Sequence, residues 1–412
     1  MIADSASSQA VAGSASPVIR RLQLTDFRSY ARLDINVDRP LIVLTGDNGA
    51  GKTNILEAIS LLSPGRGLRG ADNSEYARAG GSGGFAISAL IASRHGPARL
   101  GTGIDTPVMG VGRRHRVNGE NAPSARLFAE HLRLIWLTPA MDRLFAGPAG
   151  DRRRFLDRLV LAVDAEHGTR AGALERALRN RNRLLEMESA SSAWLDAAER
   201  EIAELAIAVA YARGETVTRL ANLIAQTRNE QSPFPWASLS IVGDIDQMVR
   251  ELPAIEAEDA FRGMLRANRR KDAAAGRALC GPQASDLKVL HGPKMMPAAL
   301  SSPGEQKALL TGLMLAHSRL VASMWGTMPI LLLDEIAAHF DPSRREALFQ
   351  ELLALGAQVW MTGADPELFS SIADLCDQVR IEPNRATVNA GRRQCPSDAH
   401  DGRAENRTGP AS

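Results

Sequence analysis

Eight consecutive residues constrain this chain more than any bulk property. Gly46-Asp47-Asn48-Gly49-Ala50-Gly51-Lys52-Thr53 has the form G-x-x-x-x-G-K-[ST], with the apolar run Leu41 to Thr45 before it and a helical segment, Asn54 to Leu62, after it. A strand, a glycine-rich loop and a helix in that order imply an α/β fold and a site for a nucleoside triphosphate. The glycines let successive N–H groups converge on phosphate oxygens, and the helix N-terminus adds about half a positive charge. In such a loop Lys52 reaches the β and γ phosphates, where it also neutralises charge during reaction, and Thr53 holds Mg²⁺.

A second segment supplies the acids this chemistry needs. Ile330-Leu331-Leu332-Leu333-Asp334-Glu335 is an apolar run ending in two carboxylates, the pattern of a buried parallel strand that delivers acids to its carboxyl edge. Asp334 completes the Mg²⁺ shell. Glu335, one position on, is placed to orient or deprotonate the attacking water, because phosphoryl transfer asks for positioning and charge neutralisation.

Between the two lies Leu300-Ser301-Ser302-Pro303-Gly304-Glu305-Gln306-Lys307, at the head of a Leu/Ala-rich helix running to about Trp325. Ser302 and Gly304 at a helix N-terminus present a hydroxyl and open backbone, a second anion site, although the same residues also make an ordinary helix cap. The segment resembles the S-x-G-x-Q signature of ABC-type ATPases. That resemblance implies that Ser302, Gly304 and Gln306 of one subunit close over the nucleotide held by another, giving an ATP-bridged homodimer. Ala338-His339-Phe340-Asp341 matches the D-loop that crosses the same interface.

From Thr53 to Ser302 is 249 positions, too many for a transporter subunit and too few for a long coiled-coil protein of the SMC type. Leu22-Gln23-Leu24-Thr25-Asp26-Phe27-Arg28-Ser29-Tyr30 resembles the L-x-L-x-x-F-R-N-Y opening of the RecF family. Gly147 to Asp157 is similar to its G-S-P-x-x-R-R-x-F-L-D segment, and Leu332 to Asp341 follows its second signature. On these motifs, from about Val18 to Thr387, the chain is identified as a member of that family. Phe340 stands where leucine is usual, and Pro148 and Ala149 disturb the G-S-P. Gly281 to Asp286 lacks the His and Arg of G-P-H-R-x-D, and Val359 to Gly363 has no switch histidine.

The resemblance implies a slow, DNA-stimulated ATPase that dimerises on ATP, clamps duplex and gapped DNA, and dissociates after hydrolysis. RecR, RecO and RecA are the implied partners in recombinational gap repair, with ATP and Mg²⁺ as cofactors. An ABC transport subunit and an ATP-binding bridge without turnover are the competing classes. The missing histidine and the Arg-Arg-x-Phe-Leu-Asp segment oppose the first, and intact Asp334 and Glu335 oppose the second.

The chain of 412 residues, 44% hydrophobic, has room for two domains. No apolar stretch approaches a membrane span, and Cys280, Cys376 and Cys395 lack metal spacing, so a reducing cytoplasm is the expected setting. A net charge of +2 means that nucleic-acid affinity must come from local patches. Two arginine clusters are candidates, Arg152, Arg153, Arg154 and Arg158 on one helix and Arg176, Arg179, Arg181 and Arg183 on the next, with Arg113, Arg114 and Arg116 a third. From these, Arg152, Arg153, Arg179 and Arg183 are the expected DNA contacts; a solvated helix face is the plain alternative. Tyr30 is either packing or a platform for adenine.

Periodicity predicts an ABC-type head over 18–149 and 271–390, with a mixed sheet around the phosphate-loop helix, and an inserted α-helical arm over 150–270. A disordered leader is expected over 1–17 and a polar, disordered tail over 391–412.

Overall fold

The computed structural model describes residues 16–105, 112–187, 191–382 and 385–389. Most of the expected leader, the expected tail and Cys395 lie outside the described residues.

The chain runs β1 (Val18–Phe27), β2 (Tyr30–Asn36), β3 (Leu41–Thr45), α1 (Lys52–Ser60), β4 (Phe85–Ser93), β5 (Gly96–Ile104), β6 (Arg114–Val117), β7 (Glu120–Ala122) and β8 (Leu134–Leu137). Then follow α2 (Ala149–Val163), α3 (His167–Glu186), α4 (Ser192–Thr227), β9 (Ala237–Val242), α5 (Asp244–Glu251) and α6 (Ala254–Ala275). The last stretch is β10 (Asp286–His291), β11 (Met296–Pro297), α7 (Pro303–Trp325), β12 (Ile330–Leu333), α8 (Pro342–Leu355), β13 (Val359–Gly363), β14 (Cys376–Glu382) and β15 (Arg385–Asn389).

The single mixed sheet expected around α1 is instead two sheets with α1 between them. One, ordered β15-β14-β3-β13-β12-β8, is parallel except for β15. The other, β2-β1-β4-β5-β6-β7, is antiparallel throughout. Side-chain alternation explains the layering. Every residue of β3 is buried, but Leu41 and Val43 face a core shared with α2, α7 and α8, while Ile42 and Leu44 face one shared with α1 and the antiparallel sheet. A strand buried on both faces reads as an unbroken apolar run, and β1 alternates because its second face meets solvent.

The helical reading of 150–270 misses β9, which pairs with β10 in a small third sheet. Gly214 does not interrupt the pattern either. Helix α4 runs through it for 36 residues, about 54 Å, joining the head core below (Val217, Leu220, Ile224) to an arm core above (Ile202, Ala206, Val209) with α3 and α6. At the centre of that arm Arg181, fully buried, meets Glu199 at 3.0 Å, Asp272 at 2.7 Å and the Leu265 carbonyl at 2.7 Å.

The arm is rooted in the head by a polar joint. Asp157 of α2 accepts from Arg213 of α4 at 2.7 and 2.8 Å and shares a 2.8 Å hydrogen bond with the His167 ring of α3. Burial opposes ionisation of Asp157, but the hydrogen bonds from His167 and Arg213 outweigh it and hold the carboxyl down at about 2. Arg213 also donates to the Pro282 carbonyl at 2.7 Å. The segment Gly281 to Asp286, read without a role from sequence, is therefore part of the arm's root.

Candidate nucleotide site

Strand β3 ends at the loop Gly46 to Gly51, and α1 begins at Lys52. Gly46, Gly49 and Gly51 have φ of 146°, 85° and 110°. A Cβ on Gly46 would lie 2.2 Å from the Ile381 carbonyl oxygen, and one on Gly51 would lie 2.6 Å from Tyr30 Oη, so two of the three positions exclude a side chain by space as well as by backbone angle. Tyr30 is fully buried beneath the loop and cannot stack on a base. Asp47, Asn48 and Gly49 stand exposed at the tip, and Ala50 is buried. Beside them opens a cleft of about 610 Å³, bounded on its far side by Ala364, Pro366, Arg380 and Glu382.

Lys52 Nζ donates to the Gly46 carbonyl at 2.6 Å and the Asp47 carbonyl at 2.9 Å, so the ammonium spans the loop it would share with phosphates. Burial lowers its pKa, while Glu335, Asp334 and Asp47 oppose that shift. Thr53 Oγ1 donates to the Asp334 carboxylate at 3.0 and 3.1 Å, bringing together two residues 281 positions apart. Burial raises the Asp334 pKa against hydrogen bonds from Thr362 and Thr53, and the neighbouring Glu335 charge raises it further. Glu335 follows at the end of β12 with φ of 52°, a left-handed conformation that few non-glycine residues adopt.

Thr362 organises both acids, and no reading of the sequence pointed to it. Its Oγ1 donates to Asp334 at 2.7 Å and accepts from the Glu335 N–H at 2.9 Å. At the adjacent Gly363 a Cβ would come within 2.5 Å of the Phe369 ring, so no side chain fits at that end of β13. A second missed support is Glu57, buried in α1 and gripped by Arg28 at 2.7 and 2.8 Å and by Arg69 at 3.0 Å. The Phe-Arg-Ser-Tyr stretch holds its signal: Arg28 leaves β1 with φ of 52° to tie that strand to the phosphate-loop helix.

Ser302 caps α7, accepting from Glu305 N–H at 3.4 Å while Glu305 accepts from Ser302 N–H at 3.0 Å. Ser302 and Gly304 are exposed, and nothing lies within 4 Å of a Cβ placed on Gly304. Among the described residues, the hydrogen bonds of Ser302 stay within its own loop and first turn. Gln306 differs from expectation. It is buried, and its amide donates to the Ser301 carbonyl at 2.9 Å and the Ala299 carbonyl at 3.4 Å, satisfying loop carbonyls that no helix reaches, so it holds the loop and is not a free ligand. The next residue, Lys307, lies 3.8 Å from Asp142 and over the ring of Phe340 at 5.8 Å. Phe340, where leucine was expected, packs edge-on to Phe234 at 5.8 Å. The His339 side chain lies outside the described residues.

With that geometry, the likeness to known proteins decides the family. The family described as RecF/RecN/SMC N terminal domain matches residues 18–387. The DNA replication and repair protein RecF of Mesorhizobium japonicum is 53% identical over 354 residues, 86% of this chain and 93% of that protein. The chain belongs to the RecF family. Its counterpart in Rhizobium leguminosarum bv. trifolii is 52% identical over 357 residues, 86% of this chain and 95% of that protein. A solved structure of the recombination mediator protein RecF-ATP in the RecFOR pathway superposes with a TM-score of 0.79 at 21% identity, covering 92% of this chain and 100% of that one. At that identity the likeness is one of fold. The RecF fold thus has the ABC-type head that the phosphate loop, signature and paired acids imply.

The arginine clusters separate once side chains are traced. Arg152 donates to Asp286 at 2.7 and 2.9 Å, and Arg153 donates to the Ser285 carbonyl at 2.8 Å. Arg152 ties α2 to β10 with its donors committed inside the chain, so the expectation that it meets DNA is corrected; Arg153 gives one N–H to the loop before β10, and among the described residues its guanidinium makes no other hydrogen bond. Arg158 lies over Trp136 at 5.1 Å and Phe155 at 5.3 Å, Arg154 pairs with Asp151, and Arg181 is buried. Arg179 and Arg183 do face solvent, with Glu175 3.8 Å from Arg179.

Proposed function

We propose that this chain is an ATP-dependent, DNA-binding clamp of recombinational gap repair. The observation that carries the reading is the hydrogen-bonded pair of Thr53 and Asp334, with Lys52 beside it and Glu335 next in sequence. A hydroxyl and a carboxylate in contact at the foot of a phosphate loop form the donor set for Mg²⁺ bound to a triphosphate, and the raised pKa of Asp334 is what a carboxylate awaiting a cation has. Mg²⁺ would supply charge neutralisation on the β and γ phosphates. Residues Gly46 to Thr53 would cradle the phosphates, and Lys52 would turn from its two carbonyls to the γ phosphate. Glu335 would hold the attacking water and take its proton.

The exposed Ser302 and Gly304 support an ATP-bridged homodimer, since among the described residues the hydrogen bonds of Ser302 stay within its own loop and first turn and the space around Gly304 is open. Leu300, 71% exposed beside them, would lose its solvent contact in such a dimer. Closure on ATP, engagement of duplex or gapped DNA, aid in loading a recombinase on single strands, and release after slow, DNA-stimulated hydrolysis complete the reading. Relatives named DNA replication and repair protein RecF, and a solved structure placed in the RecFOR pathway, support RecR as a contact with RecO in the same pathway; RecA as the recombinase and a cytoplasmic setting belong to the same proposal. Arg179 and Arg183 are retained as DNA contacts.

The test is mass by light scattering of Glu335→Gln with Mg²⁺ATP, alone and with a gapped duplex. A dimer that forms only with ATP and retains DNA is expected. A monomer indifferent to both would overturn the reading and return the chain to a transport subunit or another partner-dependent ATPase.

A further inference from the structure

The antiparallel sheet turns one face to α1 and the other to solvent, and the strand register orders the residues on the outer face. One row across it runs Arg32-Thr25-Ala86-Gly103-Arg114, an arginine at each end and three small residues between. The next runs Asp34-Gln23-Ser88-Gly101-Arg116, and the third Asn36-Arg21-Leu90-Arg99. The outer face is therefore a trough. In its first two rows the floor is Thr25, Ala86, Gly103, Gln23, Ser88 and Gly101, in the third it rises to Arg21 and Leu90, and its walls are Arg32 on β2 and Arg99, Arg114 and Arg116 on β5 and β6. Gly101 is instructive, because a Cβ there would make only ordinary contacts, 3.7 Å at the closest, so internal packing does not demand a bare position. Glycine in a strand without a packing reason marks close approach by another molecule.

Charge on this face is unbalanced. Arg21 pairs with Asp34, and Arg114 pairs with Asp105. Arg32, Arg99 and Arg116 are exposed, and among the described residues none has an ion pair or a side-chain hydrogen bond. Arg32 acts on Asp34 only through space, and among the described residues the acids of this face, Asp34 and Asp105, are paired with Arg21 and Arg114. Arg152 has no such freedom, and Arg179 lies within reach of Glu175. The trough crosses four strand spacings, about 19 Å, enough to set phosphate backbones on both walls of a major groove about 12 Å wide. Of the longer side chains on the floor, Arg21 and Gln23 are both hydrogen-bonded to Asp34.

We propose that the outer face of the β2-β1-β4-β5-β6 sheet binds the phosphate backbones of duplex DNA, with Arg32, Arg99 and Arg116 as the contacting groups. This rests on the DNA-clamp reading and adds a surface on the head to Arg179 and Arg183 of α3. Binding here is independent of sequence and strongly salt-dependent, because each guanidinium that meets a phosphate releases condensed counterions.

The experiment measures duplex affinity against salt for the full chain with ATP, as the unaltered protein, as Arg32→Gln/Arg99→Gln/Arg116→Gln, and as Ala86→Glu, which sets a carboxylate on the exposed floor and removes no arginine. Light scattering of the ATP dimer is the control for folding and nucleotide response. The triple variant is expected to lose at least tenfold in affinity and about three units of the log–log salt slope, roughly one per phosphate contact. Ala86→Glu is expected to weaken binding comparably with the dimer unchanged. If the unaltered protein binds DNA and both variants keep its affinity and slope, the face belongs to another partner, such as an acidic protein surface, and this proposal is overturned. If the unaltered protein binds no DNA at all, the clamp reading fails and takes this one with it.

Discussion

Two aspartates, the buried Asp334 at the nucleotide site and the half-buried Asp157 at the root of the arm, shift in opposite directions. Asp157 is met by Arg213 and His167 and is held ionised down to about 2. Asp334 is met by two hydroxyls, from Thr53 and Thr362, and by the like charge of Glu335, and its pKa rises. Desolvation penalises the charged form at both, so the difference lies wholly in what faces each carboxylate. The joint is complete within the chain and holds two bodies together. At the nucleotide site the carboxylate is met by hydroxyls and by another acid. A carboxylate paired with a cation from another helix acts structurally here, and one met only by hydroxyls and a like charge lies at the foot of the phosphate loop.

The contrast can be broken most forcefully at Glu335. Its replacement by Gln keeps shape and hydrogen bonding but removes the proton acceptor, and ATP turnover should fall by about 10²–10⁴-fold; steady-state phosphate release at the unaltered rate would take Glu335 out of the reaction. On the structural side, Arg181→Met leaves Glu199 and Asp272 in the arm interior without this cation. Unfolding in denaturant should show a loss of about 3–5 kcal/mol with nucleotide affinity intact, whereas a neutral result would mean that Arg269 or water replaces it.

Acid tests the joint more gently. The Asp157 pKa is depressed in the folded state, so its contribution, about 2 kcal/mol, is present above the unfolded aspartate pKa near 4 and is lost as pH falls toward 2. Comparison with Asp157→Asn, which lacks that titration, isolates the term; parallel acid profiles for the two proteins would refute it. The smallest effect expected is at Thr362→Val, which keeps volume and removes one hydroxyl linking Asp334 to the Glu335 backbone. One buried hydrogen bond is worth about 0.5–1.5 kcal/mol, so kcat should drop by up to roughly tenfold with ATP-dependent dimerisation preserved. An unchanged kcat would make Thr362 packing alone.

How much of this was legible in the sequence depends on how local the information is. Gly46 to Thr53 could be read completely, because one loop of fixed covalent connectivity carries the glycine conformations, the lysine and the hydroxyl together. Asp334 and Glu335 were legible through the apolar run that precedes them. The separation into two sheets was not, since β1 and β3 differ in sequence only in alternation and either pattern fits a mixed sheet. Thr362 was invisible because a threonine at a strand end is ordinary until Asp334 is 2.7 Å away. Gln306 was misread for a related reason: the signature spacing was satisfied, but the loop carbonyls that claim its amide appear only when the turn before α7 is formed.

By itself the amino-acid sequence determined the family and the strand–loop–helix geometry of the phosphate loop, which rest on contiguous motifs and the distances between them. Only the tertiary structure decided which charges are free. Arg152 and Arg32 are equivalent as letters, yet one is closed on Asp286, 134 positions away, and the other ends a row of small residues on an open sheet. A guanidinium satisfied by a carboxylate and two carbonyls, as Arg152 is, has almost no donors left for a phosphate. Whether that carboxylate is within reach is set by the packing of strands and helices far apart in the chain.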